Sequence, residues 1–324
     1  MAKRDQARLM VIDRTSGTIH HAVFSELAQF LPNNALMVIN NSKVVPARLL
    51  GNRKTGGKVE IFLLKSCGDG YTFETLVRPL GKLKHGEQIK FAEGITAEVV
   101  DFKKKLVRFN KKNIDRKLSK IGHMPLPPYI KREDERIDHK EYQTVYAKHA
   151  GSVASPTAGL HFTRPMLNVL KKKMLVVPVT LHINYATFKG VETQDIRDHK
   201  MHFETFRVEP AHYRKIMQAR GIGKEESGKK EEGRKTIAVG TTSCRVLETI
   251  GATGKQEGET NIFIYPSFKF TMTDILITNF HLPKSTLLML VHAFGGVDLM
   301  KRAYEEAIRK RYRFYSYGDC MIII

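Results

Sequence analysis

A chain of 324 residues with 42% hydrophobic residues has ample material for a buried core, and its length suggests about two domains, which excludes both disorder and a stapled mini-protein. Lys and Arg number 54 against 33 Asp and Glu, a formal +21, so the chain attracts polyanions: nucleic acid first, and membrane surface a poor second because no segment pairs a basic with an aromatic face. Cys67, Cys244 and Cys320 have no CxxC spacing, which argues against disulfides or a thiolate metal site and for a reducing, cytoplasmic setting. MAKRDQAR lacks the apolar core of a signal peptide, and the apolar stretch 275–294 is broken by Asn279, His281, Pro283 and Lys284, so no membrane span is expected.

In chain order, strands are expected over residues 8–12 and shortly after the Ser16-Gly17 turn, then a brief helix over 24–30 and an apolar strand over 35–40. The texture then changes. KVEIFLLK, YTFETLVR, GEQIKF, ITAEVVDF and KLVRFN alternate in character between Gly, Asp and Lys turns, which reads as a small β-barrel over 51–110 inserted into a main domain of 1–50 and 111–324. After the extended HMPLPPYIKR, Thr163 caps a helix over 165–173, an apolar strand covers 175–181, and Pro210 opens a helix over 211–220. A charged loop, 221–233, precedes the strand TIAVG, a helix over 243–250, a strand NIFIYP, helices over 285–294 and 298–311, and a last strand over 320–324. The fold class is α+β: a mixed α/β main domain with an inserted barrel.

Five stretches could carry chemistry. GSVASPTAGLHF is uncharged, punctuated by Gly and Pro, and ends on His161, a composition suited to close backbone contact with a ligand. AVGTTSCR runs from a strand into a helix start with Thr241, Thr242 and Arg245, a place for a carboxylate or phosphate, although a plain N-cap would look the same. RDHKMHFE holds His199, His202 and Glu204; a metal site would need a third ligand that cannot be named, whereas imidazole beside carboxylate suits proton transfer. ITNFHLPKS places His281 and Lys284 at a strand-to-helix junction. RFYSYGDC sets Asp319 among Phe314, Tyr315 and Tyr317, which could hold a cation.

Taken in order, NNSKVVPARL, MPLPPYI, YQTVYAKHAGSVASPTAGLHFT, VTLHI, DHKMHFE, IAVGTTSCRVLET, NIFIYPSFKF, ITNFHLPKSTLLMLVHAFGG and YRFYSYGD resemble the S-adenosylmethionine:tRNA ribosyltransferase-isomerases of queuosine biosynthesis, over about 5–324. The resemblance implies transfer and isomerisation of the ribosyl part of S-adenosylmethionine onto 7-aminomethyl-7-deazaguanine at the wobble position of tRNA with a GUN anticodon. The products are epoxyqueuosine-tRNA, adenine and methionine. It further implies a cytoplasmic monomer of two domains, S-adenosylmethionine as co-substrate, and no metal or further cofactor.

Four departures from the family pattern stand out. Met1-Ala2-Lys3 replaces a longer proline-containing start, so a truncated N-terminus is expected; HVGxGTF is HINYATF here; HKMHSE is HKMHFE at Phe203; and IYPG is IYPS at Ser267. The reaction needs a base for the carbon beside the sulfonium. A carboxylate would stabilise the cation but not a neutral ylide, so the base and acid are sought among His161, His182, His199, His202 and His281. Glu204 and Asp319 are candidates to orient an imidazole or meet the sulfonium, and Arg245 with Thr241 and Thr242 to hold the methionine carboxylate. Ser155, Pro156, Thr157 and Gly159 would contact the nucleoside or the flipped base, with Lys284 and Tyr317 as further binding residues. These histidine-bearing turns are expected to converge on one cleft. A non-catalytic tRNA-binding descendant and a metal-dependent hydrolase using His199 and His202 are the competing readings.

Overall fold

A computed structural model describes residues 3–188, 190–191, 193–222 and 233–324. The loop expected over 221–233 lies mostly outside the described residues. Two compact units are present, one formed by Met1–Lys43 with Gln143–Ile324 and the other by Val44–Tyr142. The second is wider than the 51–110 read from strand texture.

The first unit is built on a nine-stranded sheet in the order Glu257–Thr260, Glu204–Arg207, Leu175–Leu181, Leu36–Asn40, Thr236–Val239, Ile275–Asn279, Cys320–Ile323, Arg8–Ile12, Ile19–Val23. Leu175–Leu181, Leu36–Asn40, Thr236–Val239 and Ile275–Asn279 run parallel, and Cys320–Ile323 turns against them. Their largely apolar sequences follow from burial on both faces. Successive residues face opposite ways, so Leu9 and Val11 join one core and Met10 and Ile12 the other, and Ile237 and Val239 likewise oppose Ala238. The helices Pro210–Ala219, Thr241–Thr253, Thr286–Gly295 and Val297–Arg309 fill one core; Phe24, Leu27 and the helix Arg164–Lys173 fill the other. Thr163 caps that last helix, its hydroxyl accepting from the Met166 amide at 3.4 Å.

One expected strand is absent. NIFIYP does not pair; the strand lies just before it, at Glu257–Thr260. Ile262, Phe263 and Ile264 instead wall a cavity, which uses their apolar surface without a ladder.

The second unit is a closed barrel of Leu106–Phe109, Thr72–Arg78, Lys58–Ser66, Arg48–Arg53, Gln88–Lys90 and Thr96–Asp101. Inward positions alternate as expected, with Val59, Ile61, Phe73, Val99, Val107 and Phe109 buried. Gly51 faces inward where a Cβ would come within 2.6 Å of the Phe91 ring, so the closure needs glycine there. No helix among the described residues is long and apolar enough to cross a membrane.

Candidate active site

The parallel strands end together at their carboxyl edge, where ligands of open α/β sheets bind. Asn40, the last residue of its strand, ties this edge. Its amide donates to the Leu181 carbonyl at 3.1 Å and to Thr242 Oγ1 at 3.2 Å, while its oxygen accepts from the amides of Ser42 and Leu181. Asn279 ends the Ile275–Asn279 strand in the same way, its amide donating to His161 Nε2 at 3.0 Å and to the Asp319 carbonyl at 3.2 Å. Both asparagines close an apolar run in the sequence, LMVIN and ILITN, a signal that would have found them.

Gly240, at φ 86°, makes the turn from Thr236–Val239 into the helix Thr241–Thr253. Arg245 lies one turn into that helix, 5% exposed, and pairs through Nη1 with the carboxylate of Glu204, itself 5% exposed. Glu204 Oε1 also accepts from the Asn184 amide at 2.9 Å and the Thr187 hydroxyl at 3.1 Å. Arg245 Nε and Nη2 are buried with no partner among the described residues. Both side chains line a cavity of about 240 Å³ whose wall includes His199, His202, Phe263 and Leu287. The His199 ring lies 5.3 Å from that of Phe263; His199 is half-buried and His202 exposed.

The other nominated histidines do not join this lining. His161 is buried against Phe24, between the Asn279 amide and the Arg4 backbone carbonyl, and burial pushes its imidazole down to about 4. Burial does the same to His281, whose Nε2 meets Thr278 Oγ1 at 2.8 Å and whose amide donates to the Tyr304 hydroxyl. Both are neutral at pH 7 and weak bases. His182 packs where a Cβ on Gly151 would come within 2.9 Å; its Nδ1 is buried with no partner among the described residues, and burial, then His149, lowers its basicity.

The remaining nominees scatter along the edge. Ser155 is buried with its hydroxyl unpartnered among the described residues; Pro156 precedes the short helical turn Thr157–His161, in which Gly159 lies where a Cβ would fall 2.0 Å from the Tyr146 hydroxyl. Thr241 is buried at the helix start, Thr242 is held by Asn40, Lys284 is exposed at φ 58°, and Tyr317 is half-buried in the turn before Asp319.

Glu204 and Asp319, candidates to orient an imidazole or meet the sulfonium, are both bonded to arginine. Among the described residues neither Glu204 nor Asp319 bonds an imidazole: Glu204 serves Arg245, and Asp319 is enclosed by Arg8 and Arg313. No group of three or more His, Cys, Asp or Glu side chains among the described residues is placed to hold a metal ion.

A sheet whose carboxyl edge opens on a cavity holding an arginine, a carboxylate and two imidazoles has the build of an enzyme for a small charged substrate. Comparison with known proteins narrows the class. The family model described as "Queuosine biosynthesis protein" matches residues 1–323. An S-adenosylmethionine:tRNA ribosyltransferase-isomerase from Sulfurihydrogenibium sp. is 46% identical over 99% of this chain and 94% of that protein, and one from Thermosipho africanus is 46% identical over 99% and 93%. The crystal structure of an S-adenosylmethionine tRNA ribosyltransferase from Thermotoga maritima is similar at 33% identity and a TM-score of 0.53, covering 100% of this chain and 94% of that one. The chain belongs to the queuosine biosynthesis protein family.

Proposed function

We propose that this chain transfers and isomerises the ribosyl moiety of S-adenosylmethionine onto 7-aminomethyl-7-deazaguanine at the wobble position of tRNA, releasing adenine and methionine and leaving epoxyqueuosine-tRNA. Family membership over nearly the whole length supports the reaction. The observation that supports its location is the cavity where His199, His202, Arg245 and Glu204 share one wall.

The positive sulfur acidifies the neighbouring ribose carbon, and a neutral imidazole can take that proton without first stabilising the substrate's charge. His199 and His202 are the candidates, because they reach the cavity, whereas burial leaves His161 and His281 too weakly basic to serve near pH 7. The attacking amine must be neutral and adenine must leave protonated, so a second imidazole has work as the acid. The uncharged loop carrying Ser155, Pro156, Thr157 and Gly159 offers close neutral contact to the nucleoside or to the extruded base, where a charge would have to be desolvated. The formal +21 suits an RNA partner, and tRNA with a GUN anticodon is the proposed substrate.

The test is release of adenine and methionine from S-adenosylmethionine with tRNA carrying the aminomethyl base. Release that requires both substrates is expected. No adenine under those conditions would refute the reading.

A further inference from the structure

We infer that Arg245 and Glu204 together form a receptor for a zwitterionic α-amino acid head group, which makes them the residues that select an amino-acid-bearing sulfonium over analogues lacking either charge. This deepens the reading of the cavity as an S-adenosylmethionine site and rests on it.

The donors and acceptors of this pair are not all used within the described residues. A guanidinium has five N–H donors. Nη1 of Arg245 is spent on Glu204, while Nε and Nη2 are buried and idle among the described residues. Nε–H and one Nη2–H point the same way, forming the fork that matches the two oxygens of a carboxylate. Buried donors are nearly always bonded in folded proteins, so idle donors on a side chain of the cavity wall call for a partner beyond the described residues, which a ligand entering the cavity can supply.

Glu204 supplies the complementary part. A carboxylate offers about four lone-pair directions. Three are taken, by the Asn184 amide, the Thr187 hydroxyl and Arg245. The one left can receive an ammonium hydrogen. Beside the pair, Phe263, Leu287 and Leu290 give the cavity an apolar wall for the methylenes between head group and sulfur.

Charge balance favours a zwitterion over a simple ion. The buried Arg–Glu pair is neutral as a unit, and so is an amino acid head group, so docking one on the other leaves no uncompensated charge. A ligand bearing only the ammonium leaves the fork empty, and one bearing only the carboxylate leaves Glu204 short of its donor.

The experiment is calorimetric titration of the full-length protein with S-adenosylmethionine, its decarboxylated analogue and its desamino analogue, without tRNA. Each analogue is expected to bind roughly 100-fold more weakly, the loss that follows from leaving a buried charged partner unbonded. Equal affinity of the decarboxylated compound, within about threefold, would overturn the inference.

Because removing one member of a buried pair can unfold a protein, the variant is the double replacement Arg245→Met with Glu204→Gln, which keeps the cavity filled and uncharged. It should bind all three compounds within about threefold of one another, and retention of the wild-type discrimination would overturn the assignment. Failure of the reaction is read separately: discrimination in binding without adenine release would leave the receptor standing and the function refuted. Adenine release with no discrimination would do the reverse.

Discussion

Two ion-pair clusters in the main unit each bury a carboxylate and differ in how exposed their guanidinium groups are and in how fully they are bonded. Asp319, 0% exposed, accepts from the Arg8 and Arg313 amides and from both guanidinium groups, at 2.7 to 3.2 Å. Burial would raise its pKa, but the bonds from Arg313 and Arg8 outweigh that and hold the carboxyl below its usual range. Arg245, far more buried than Arg8 or Arg313, leaves Nε and Nη2 without a partner among the described residues on a side chain of the cavity wall. The histidines divide along the same line. His161 is bonded on both sides and dry, whereas His199 and His202 open onto space. What sets Arg245 apart as the proposed binding residue is therefore unused bonding capacity on a cavity wall, not charge alone.

Breaking the saturated cluster should cost the most in stability. Asp319→Ala removes the buried carboxylate that two part-buried backbone amides and two guanidinium groups share, with an expected loss of about 3 kcal/mol in chemical denaturation. A loss below about 1 kcal/mol would mean that the cluster is not a structural tie. The folded fraction should still bind S-adenosylmethionine as the unaltered protein does.

The buried histidine gives the next largest effect. Its folded-state pKa lies near 4, below the ordinary 6.5, so on acidification the unfolded chain takes the proton first. Stability from this group is whole above about 6.5 and is lost as pH falls toward 4, by about 2 kcal/mol after allowing for relaxation. His161→Gln should flatten that limb of a stability-against-pH curve. An unchanged slope would show that the site is not dry.

A smaller effect is expected at Ser267. It sits at φ 85°, a conformation that suits glycine, where the family pattern carries one. Ser267→Gly should raise stability by about 0.5 to 1 kcal/mol, the relief of strain exceeding the added freedom of the unfolded chain. A fall in melting temperature would place the constraint elsewhere.

Much of this architecture was legible in the sequence because two-sided burial writes itself as apolar runs. The strands Arg8–Ile12 and Leu175–Leu181 lie where the hydrophobic pattern places them, and the alternating segments after Gly51 correspond to the closed barrel. NIFIYP misled because an apolar run lining a cavity has the same composition as a strand. The second unit runs beyond 51–110 at both ends because its strand Arg48–Arg53 follows Pro46 and its closing segment, from about 111 to 142, is too proline-rich and charged to show periodicity.

At the site, residue types were legible but bonding was not. Asp319 reads as a free acid until Arg8, at the far end of the chain, is brought beside it. His161 reads as a base until Asn279 and Phe24 enclose it. Such partners are set by the sheet order, which local sequence does not carry.

The most direct test measures adenine release per folded molecule in His199→Ala and His202→Ala against His161→Gln and His281→Gln. At least one of the first pair should lose about 100-fold in turnover, with the second pair within about threefold of the unaltered protein. Full turnover in both cavity variants, with loss in His161→Gln or His281→Gln, would contradict the account.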